Sequence, residues 1–199
     1  MLTIVGKATS INVRKVLWTC TALGLPFERE EWQEGHAALN PNRMVPVLVD
    51  DGFVLWESNT ICRYLCDHYG DGALLPAGAR ERARVSQWMD WQATELNTAW
   101  RYAFMALVRA SPAHRDPALI QAGIDGWNRH VGLLDAHLAE HGPCVAGPAF
   151  SLADIVLGLS VNRWLMTPMA RPGYPHVAAW YARLARQPGF VDWCGNGVP

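Results

Sequence analysis

The strongest constraint on the fold is a change of hydrophobic pattern near residue 70. Residues 70–78 are rich in Gly, Ala and Pro, the composition of a linker. Before this stretch short apolar runs alternate with helical segments, whereas after it apolar residues recur at helical spacing without a convincing strand. The pattern predicts a mixed α/β domain over residues 1–72, a linker over 73–80 and an all-helical domain over 81–199.

Turn and cap residues predict a β-α-β unit followed by a β-β-α unit in the first part. An apolar run at residues 2–5 leads through a polar turn into a one-sided helix, which Gly24 and Pro26 end. Asp50-Asp-Gly52 joins two apolar runs and is typical of a hairpin. The predicted strands are 2–5, 27–32, 45–49 and 53–56, the second helix is 57–70, and the later helices are 80–109, 116–141, 150–165 and 176–186.

Composition and charge narrow the class of protein. Lys and Arg total 17 against 18 for Asp and Glu, and no basic run is present, so we expect no nucleic-acid partner. Apolar stretches are interrupted before the length of a membrane span, and the N-terminus lacks a signal pattern, so we expect no membrane partner. Five cysteines, an odd number without a C-x-x-C pair, suit a reducing compartment. These features predict a cytoplasmic protein.

Pro46 lies directly before a predicted strand residue, in Met44-Val45-Pro46-Val47. A trans proline there would remove a ladder hydrogen bond, which favours an edge strand. A cis Val45-Pro46 bond would instead turn the Val45 backbone outward, where its N–H and C=O could pair with an extended peptide. The dipeptide leaves both interpretations open.

Glu57 and Ser58 lie where a strand ends and a helix begins. The Ser58 N–H and hydroxyl, together with the helix dipole, could receive a carboxylate, and Glu57 could meet an ammonium group beside it. The pair would suit the zwitterionic end of an amino acid or a γ-glutamyl group. Ser58 could equally be a plain N-terminal cap.

Taken together, these motifs resemble cytosolic glutathione transferases. The resemblance lies in Val45-Pro46-Val-Leu, in Leu55-Trp-Glu57-Ser58-Asn-Thr-Ile61 and in Tyr64-Leu65, with Phe150-Ser151-Leu-Ala-Asp154-Ile155 similar to a helix-capping segment of the second domain. It implies a glutathione transferase fold, in which a thioredoxin-like α/β N-terminal domain with Pro46 cis precedes an all-α C-terminal domain. It also implies glutathione as co-substrate, no metal and a homodimer.

The resemblance further implies roles for individual residues around glutathione. The Val45 backbone, beside Pro46, would bind the cysteinyl part, while Glu57 and Ser58 would hold the γ-glutamyl end. Arg43 falls where members often place a basic group near the glycyl carboxylate. The Gly-Lys common before Val-Pro is replaced here by Arg43-Met44, so His36 is a second candidate for that contact.

The sulfur site has three candidates in the first turn after the first strand. A hydrogen-bond donor at a helix N-terminus can lower a thiol pKa from about 8.5. The first tyrosine is Tyr64 and the first cysteine is Cys20, so neither type can serve in this turn. Similarity to the serine-type entry loop makes Ser10 the first candidate, although it could be only a helix cap; Asn12 and then Thr9 follow.

The acceptor pocket is predicted on the long helix after the linker, with Trp100 and Phe104 as walls and Asn97 and Arg101 as polar members, although such aromatic residues could equally belong to the core. The predicted reaction is attack of the glutathione thiolate on a small hydrophobic electrophile. Glutathione-dependent reduction of peroxides or disulfides, and a non-catalytic binding or interaction module on the same fold, are the alternatives.

Two further patterns could bind metal but are interpreted otherwise. His137-Leu-Ala-Glu140-His141 matches a zinc-peptidase pattern, yet it lacks a third ligand and runs into Gly142-Pro143. Cys62 and Cys66 lie one helical turn apart and are interpreted as packing residues. We therefore predict no metal site.

Overall fold

The computed structural model describes all 199 residues, Met1–Pro199. Its strands are β1 (Leu2–Val5), β2 (Phe27–Glu30), β3 (Val47–Asp50) and β4 (Phe53–Trp56). Its α-helices are α1 (Ile11–Ala22), α2 (Ser58–Tyr69), α3 (Ala79–Trp91), α4 (Asn97–Leu107), α5 (Pro117–His141), α6 (Leu152–Met166) and α7 (Pro175–Leu184). A 3₁₀ helix at Glu34–Leu39 and π-helical turns at Gln92–Leu96 and Phe190–Cys194 complete the chain.

The four strands form one sheet in the order β2-β1-β3-β4. Strand β1 pairs in parallel with β2 and antiparallel with β3, and β3 pairs antiparallel with β4. At the hairpin, Asp51 and Gly52 both have positive φ, as a type I′ turn requires. The predicted fold class, a mixed α/β domain followed by helices, is therefore confirmed.

Several predicted element bounds were wrong by a few residues. Strand β3 begins at Val47 rather than Val45, because Pro46 has no N–H to donate to the ladder. Strand β2 ends at Glu30 rather than residue 32. The predicted helix over 80–109 is divided by the π-helical turn at Gln92–Leu96 and ends at Leu107.

Helix α6 forms the centre of the second part of the chain. Every residue from Leu152 to Trp164 is buried, so the helix is covered on all sides. The predicted capping box at its start is confirmed. Asp154 accepts hydrogen bonds from the N–H and Oγ of Ser151 at 3.0 and 2.9 Å, from the Val145 N–H at 2.9 Å and from Trp180 Nε1 at 2.8 Å.

One apolar core continues across both parts of the chain, and α1 packs against α2 on one side and α6 on the other. Trp18 of α1 is fully buried and donates from Nε1 to the Pro188 carbonyl at 2.9 Å. Lys15, one turn earlier, is also buried, and its Nζ donates to Gln92 Oε1 at 2.8 Å and Asn59 Oδ1 at 3.2 Å. The π-helical turn thus supplies a partner for a buried lysine of the first part. None of the helices is both long enough and apolar enough to cross a membrane.

Candidate functional site

Two adjoining pockets lie around the start of α1. The first, which we call the proline pocket, has a volume of about 360 Å³ and is lined by Asn12, Asn40, Asn42, Met44, Val45, Pro46, Glu57 and Ser58. The second, which we call the arginine pocket, has a volume of about 450 Å³. It is lined by Lys7, Ser10, Ile11, Asn12 and Met44 from the first part and by Ala93, Asn97, Thr98, Trp100, Arg101, Phe104, Met105, Arg109 and Arg163 from the second.

Asn12 and Met44 line both pockets, so they mark the place where the two meet. Asn12 is the second residue of α1 and is half-buried. Its side-chain amide makes no hydrogen bond within the chain, unlike Asn40, whose Nδ2 donates to the Met44 carbonyl at 2.8 Å. A free amide donor therefore stands at the junction, beside the positive end of a helix dipole.

The other two sulfur candidates are placed differently. Ser10 is the N-cap residue of α1, but its hydroxyl makes no capping hydrogen bond, and it lines the arginine pocket only. Thr9 is exposed and lines neither pocket. The structure thus brings Asn12 to both pockets, Ser10 to one and Thr9 to none, while the role of each residue stays a prediction.

The Val45–Pro46 peptide bond is cis, as the resemblance implied. Neither the N–H nor the C=O of Val45 makes a hydrogen bond within the chain, and both belong to a residue that lines the proline pocket. Gly6 lies against this residue, since a Cβ added there would meet Val45 Cβ at 2.9 Å. The loop therefore offers one free donor and one free acceptor to an extended peptide.

Glu57 and Ser58 meet the same pocket from the junction of β4 and α2. Ser58 is the first residue of α2, and only 6% of it is exposed, yet its hydroxyl makes no hydrogen bond within the chain. Glu57 has φ +72 and ψ 108, a conformation that costs a non-glycine residue about 1–3 kcal/mol and that clusters at functional sites. The arrangement places an acceptor for an ammonium group beside donors for a carboxylate.

The two candidates for the glycyl carboxylate do not line the proline pocket. Arg43 is exposed, with φ +51. The Nδ1 of His36 accepts from the Gln33 N–H at 3.0 Å, and its Nε2 lies 3.3 Å from Glu30 Oε2. These contacts hold His36 outside the pocket, and both assignments stay predictions.

Some lining residues were missed by the sequence analysis. Asn40 and Asn42 lie in the loop just before Val45-Pro46, where two amides so close together could have indicated a polar wall. All four predicted members of the acceptor site line the arginine pocket, and they are Asn97, Trp100, Arg101 and Phe104. Lys7, Arg109 and Arg163 were missed, and Arg163 gave no signal because it lies within a strongly apolar helix.

The cysteine and histidine pairs lie outside both pockets. Burial raises the pKa of the Cys62 thiol to about 11, although Thr19 Oγ1 lies 3.3 Å from its Sγ, and burial also raises the pKa of Cys66. The His137 ring is hydrogen-bonded through Nε2 to the Val145 carbonyl at 2.7 Å and stacks on His141. The structure groups no third metal ligand with these residues.

The comparisons with known proteins agree with this geometry. Two family models match the chain, the glutathione S-transferase N-terminal domain over residues 4–73 and the glutathione S-transferase C-terminal domain over residues 117–183. Glutathione S-transferase GstB of Escherichia coli strain K12 is 36% identical over 198 residues, which cover 94% of this chain and 95% of that protein.

Solved structures show the same similarity. The theta class glutathione S-transferase from the citrus canker pathogen Xanthomonas axonopodis pv. citri, with glutathione bound, has a TM-score of 0.90 and 38% identity, covering 97% of this chain and 96% of that one. An epsilon-class glutathione S-transferase from the housefly Musca domestica has a TM-score of 0.88 and 29% identity, covering 100% and 94%. Because these matches extend over nearly the whole chain, the protein belongs to the glutathione S-transferase family.

Proposed function

We propose that this protein conjugates the thiolate of glutathione to a small electrophile, with glutathione in the proline pocket and the electrophile in the arginine pocket. The observation that supports this most directly is that Asn12 and Met44 line both pockets. A tripeptide in the first pocket can therefore present its sulfur to a second molecule without leaving its own site. Proximity of this kind accelerates a reaction between two bound molecules.

The proposed binding mode uses groups of Val45, Glu57 and Ser58 that make no hydrogen bond within the chain. Val45 would pair its N–H and C=O with the cysteinyl residue of glutathione. Ser58 and the N-terminus of α2 would receive the γ-glutamyl carboxylate, and Glu57 would accept from the ammonium group. Arg43 would supply positive charge for the glycyl carboxylate, with His36 as its alternative.

For the sulfur we propose Asn12 as the donor, ahead of Ser10 and Thr9. Hydrogen bonds from the Asn12 amide favour the thiolate over the thiol, and the N-terminus of α1 adds a positive potential. The thiolate then attacks the electrophilic carbon. A carbon–sulfur bond forms, the leaving group departs with the electrons of its bond, and the proton of the thiol is released when the thiolate forms.

The test measures the thiol pKa of bound glutathione in the wild type, in Asn12→Ala and in Ser10→Ala. The ultraviolet absorbance of the thiolate, recorded as pH is varied, gives this pKa. Asn12→Ala should raise this pKa by about one unit or more, since a hydrogen bond to a charged group contributes roughly 1.5–3 kcal/mol. Ser10→Ala is the matched control and should leave the titration close to that of the wild type. The opposite ranking would transfer the role to Ser10, and a pKa unchanged in both variants would contradict the proposal.

Reduction of peroxides or disulfides is a second candidate, because an amide rather than a hydroxyl stands at the junction of the pockets. Formation of oxidised glutathione in the presence of a peroxide would favour it over conjugation. A non-catalytic module would bind glutathione without turnover of any electrophile.

We also propose a cytoplasmic homodimer. Phe53 and Val54, on the edge strand β4, are 49% and 36% exposed, and such an apolar edge is usually covered by a partner. The five cysteines are all free thiols, which suits a reducing compartment. Sedimentation equilibrium would establish the oligomeric state, and a monomer at micromolar concentration would contradict this part of the proposal.

A further inference from the structure

The arginine pocket has an unbalanced charge. Its lining includes four cationic side chains, those of Lys7, Arg101, Arg109 and Arg163, and no carboxylate. The whole protein has a formal net charge of −1, so the imbalance is local to this pocket. A pocket lined by one sign of charge attracts ligands of the opposite sign.

Arg163 is the least expected of these cations, because only 5% of it is exposed. Its guanidinium makes no hydrogen bond and no ion pair within the chain, and its Nε is sealed from solvent without an acceptor. Cζ lies 4.2 Å from the centre of the Phe104 ring and 4.8 Å from that of Trp100, so the aromatic faces are its main contacts. Burial, together with the nearby charges of Arg14 and Arg109, lowers the pKa of Arg163 to about 9.

Arg14 shows how the same protein accommodates a buried arginine that lines neither of the two pockets. Its guanidinium donates to the main-chain oxygens of Val198 and Pro199 at 2.8 and 2.7 Å, with longer contacts to Trp193 O and Asn196 Oδ1 at 3.4 Å. Buried charges are ordinarily paired in this way because an unpaired one is costly. Arg163 departs from that rule at the wall of a cavity.

A second buried donor in the wall of this pocket also lacks an acceptor. The Nε1 of Trp100, whose ring lies beside the Arg163 guanidinium, is also buried without a hydrogen-bond partner. Arg109 approaches the Phe104 ring too, with Cζ 5.5 Å from its centre. The pocket therefore combines aromatic surface with donors and positive charge, and what it lacks is an acceptor-rich anion.

We propose that the electrophile taken by this pocket is an organic anion, a carboxylate on an apolar or aromatic frame, bound by Arg163 with support from Arg109. The inference rests on the proposed function and adds the substrate class to it. The frame would lie against Phe104 and Trp100, and the two guanidinium groups would bind the carboxylate oxygens. The carboxylate is unchanged in the reaction, which forms a carbon–sulfur bond and breaks the bond to the leaving group elsewhere on the frame.

The experiment compares two acceptors that differ in charge but not in shape. One is a chloronitrobenzoate with chlorine para to the carboxylate and ortho to the nitro group, and the other is the corresponding chloronitrobenzamide. In both, glutathione displaces chloride. Each kcat/KM is divided by the rate constant of the uncatalysed reaction, so that the intrinsic reactivities of the two compounds cancel.

The wild type should prefer the benzoate, and Arg163→Met should reduce this preference by roughly 10- to 100-fold, the loss expected for a hydrogen bond to a charged group. Arg163→Lys should retain part of it. Arg109→Met changes an exposed side chain and should reduce the preference by a smaller factor. Arg129→Met removes an exposed arginine of α5 that lines neither pocket, and it should leave the preference unchanged.

Calorimetry with each compound in the absence of glutathione tests the anion site separately from the transferase activity. If the benzoate binds wild type more tightly than the benzamide and Arg163→Met removes the difference, the anion site stands whatever the turnover. If the benzamide is turned over while the benzoate is neither preferred nor more tightly bound, the anion site is wrong and the transferase activity stands. A purely structural Arg163 would change stability and leave the charge preference intact, which would also overturn the inference.

Discussion

Lys15 provides a quantitative test of the packing between the two parts of the chain. It is fully buried, and its ammonium group has only the amide oxygens of Gln92 and Asn59 as partners. Burial lowers its pKa from the ordinary 10.5 to about 8. Because the charged form is the one that burial disfavours, the native state is destabilised while Lys15 is protonated and recovers as the proton leaves.

The direction with pH follows from proton binding. Between pH 8 and 10.5 the unfolded chain keeps the Lys15 proton while the native protein loses it, so the free energy of unfolding rises with pH. A shift from 10.5 to about 8 corresponds to about 3 kcal/mol in total, of which about 2 kcal/mol is recovered between pH 7 and 9.5. Replacement of Lys15 by Met removes this titration.

The measurement is urea unfolding of wild type and Lys15→Met at pH 7 and 9.5. The stability of the wild type relative to the variant should increase by about 2 kcal/mol over this range. Loss of the hydrogen bonds to Gln92 and Asn59 adds a constant that does not depend on pH, and the buried thiols titrate in both proteins. The only other lysine, the exposed Lys7, provides the control, since Lys7→Met should show no such change. A difference between wild type and Lys15→Met that is flat with pH would refute the reasoning.

Three further predictions concern the site and its support. Ser58→Ala should raise the KM for glutathione about fivefold with little change in kcat, as steady-state kinetics would show, because an anchoring hydrogen bond contributes about 1 kcal/mol. Gly6→Ala, at φ +148, would place Cβ 2.5 Å from Val13 Cγ2 and 2.9 Å from Val45 Cβ. Thermal denaturation should therefore show that the free energy of unfolding falls by about 1–3 kcal/mol, and calorimetry should show that glutathione binds more weakly. Asp154→Ala leaves the buried donors of Val145 and Trp180 without an acceptor. The free energy of unfolding, measured with urea at pH 7, should fall by about 3 kcal/mol or more. A decrease below about 1 kcal/mol would contradict this prediction.

The sequence predicted the features that depend on residues close together in the chain. The hairpin at Asp51-Gly52 and the helix start at Ser151 follow from local backbone preferences and local hydrogen bonds, and both were predicted correctly. The cis Val45-Pro46 bond could be chosen over an edge strand only through the resemblance of the surrounding motif. The predicted acceptor residues on α4 line one pocket because they share a helical face, which sequence spacing records.

What depends on the meeting of distant elements could be read only from the tertiary structure. The sequence favoured Ser10 over Asn12 as the sulfur donor, but both lie in the same turn. Only the packing of α4 and of the loop at Met44 against α1 places Asn12 rather than Ser10 at the junction of the two pockets. The place of Arg163 in the pocket could not be predicted from the sequence for the same reason. Within an apolar helix one arginine carries no periodic signal, and whether its charge meets an acid, water or an open pocket is decided by side chains about sixty residues away in the chain. Local sequence specifies the conformation of a segment, whereas burial and charge balance are properties of the surfaces that segments form when they pack together.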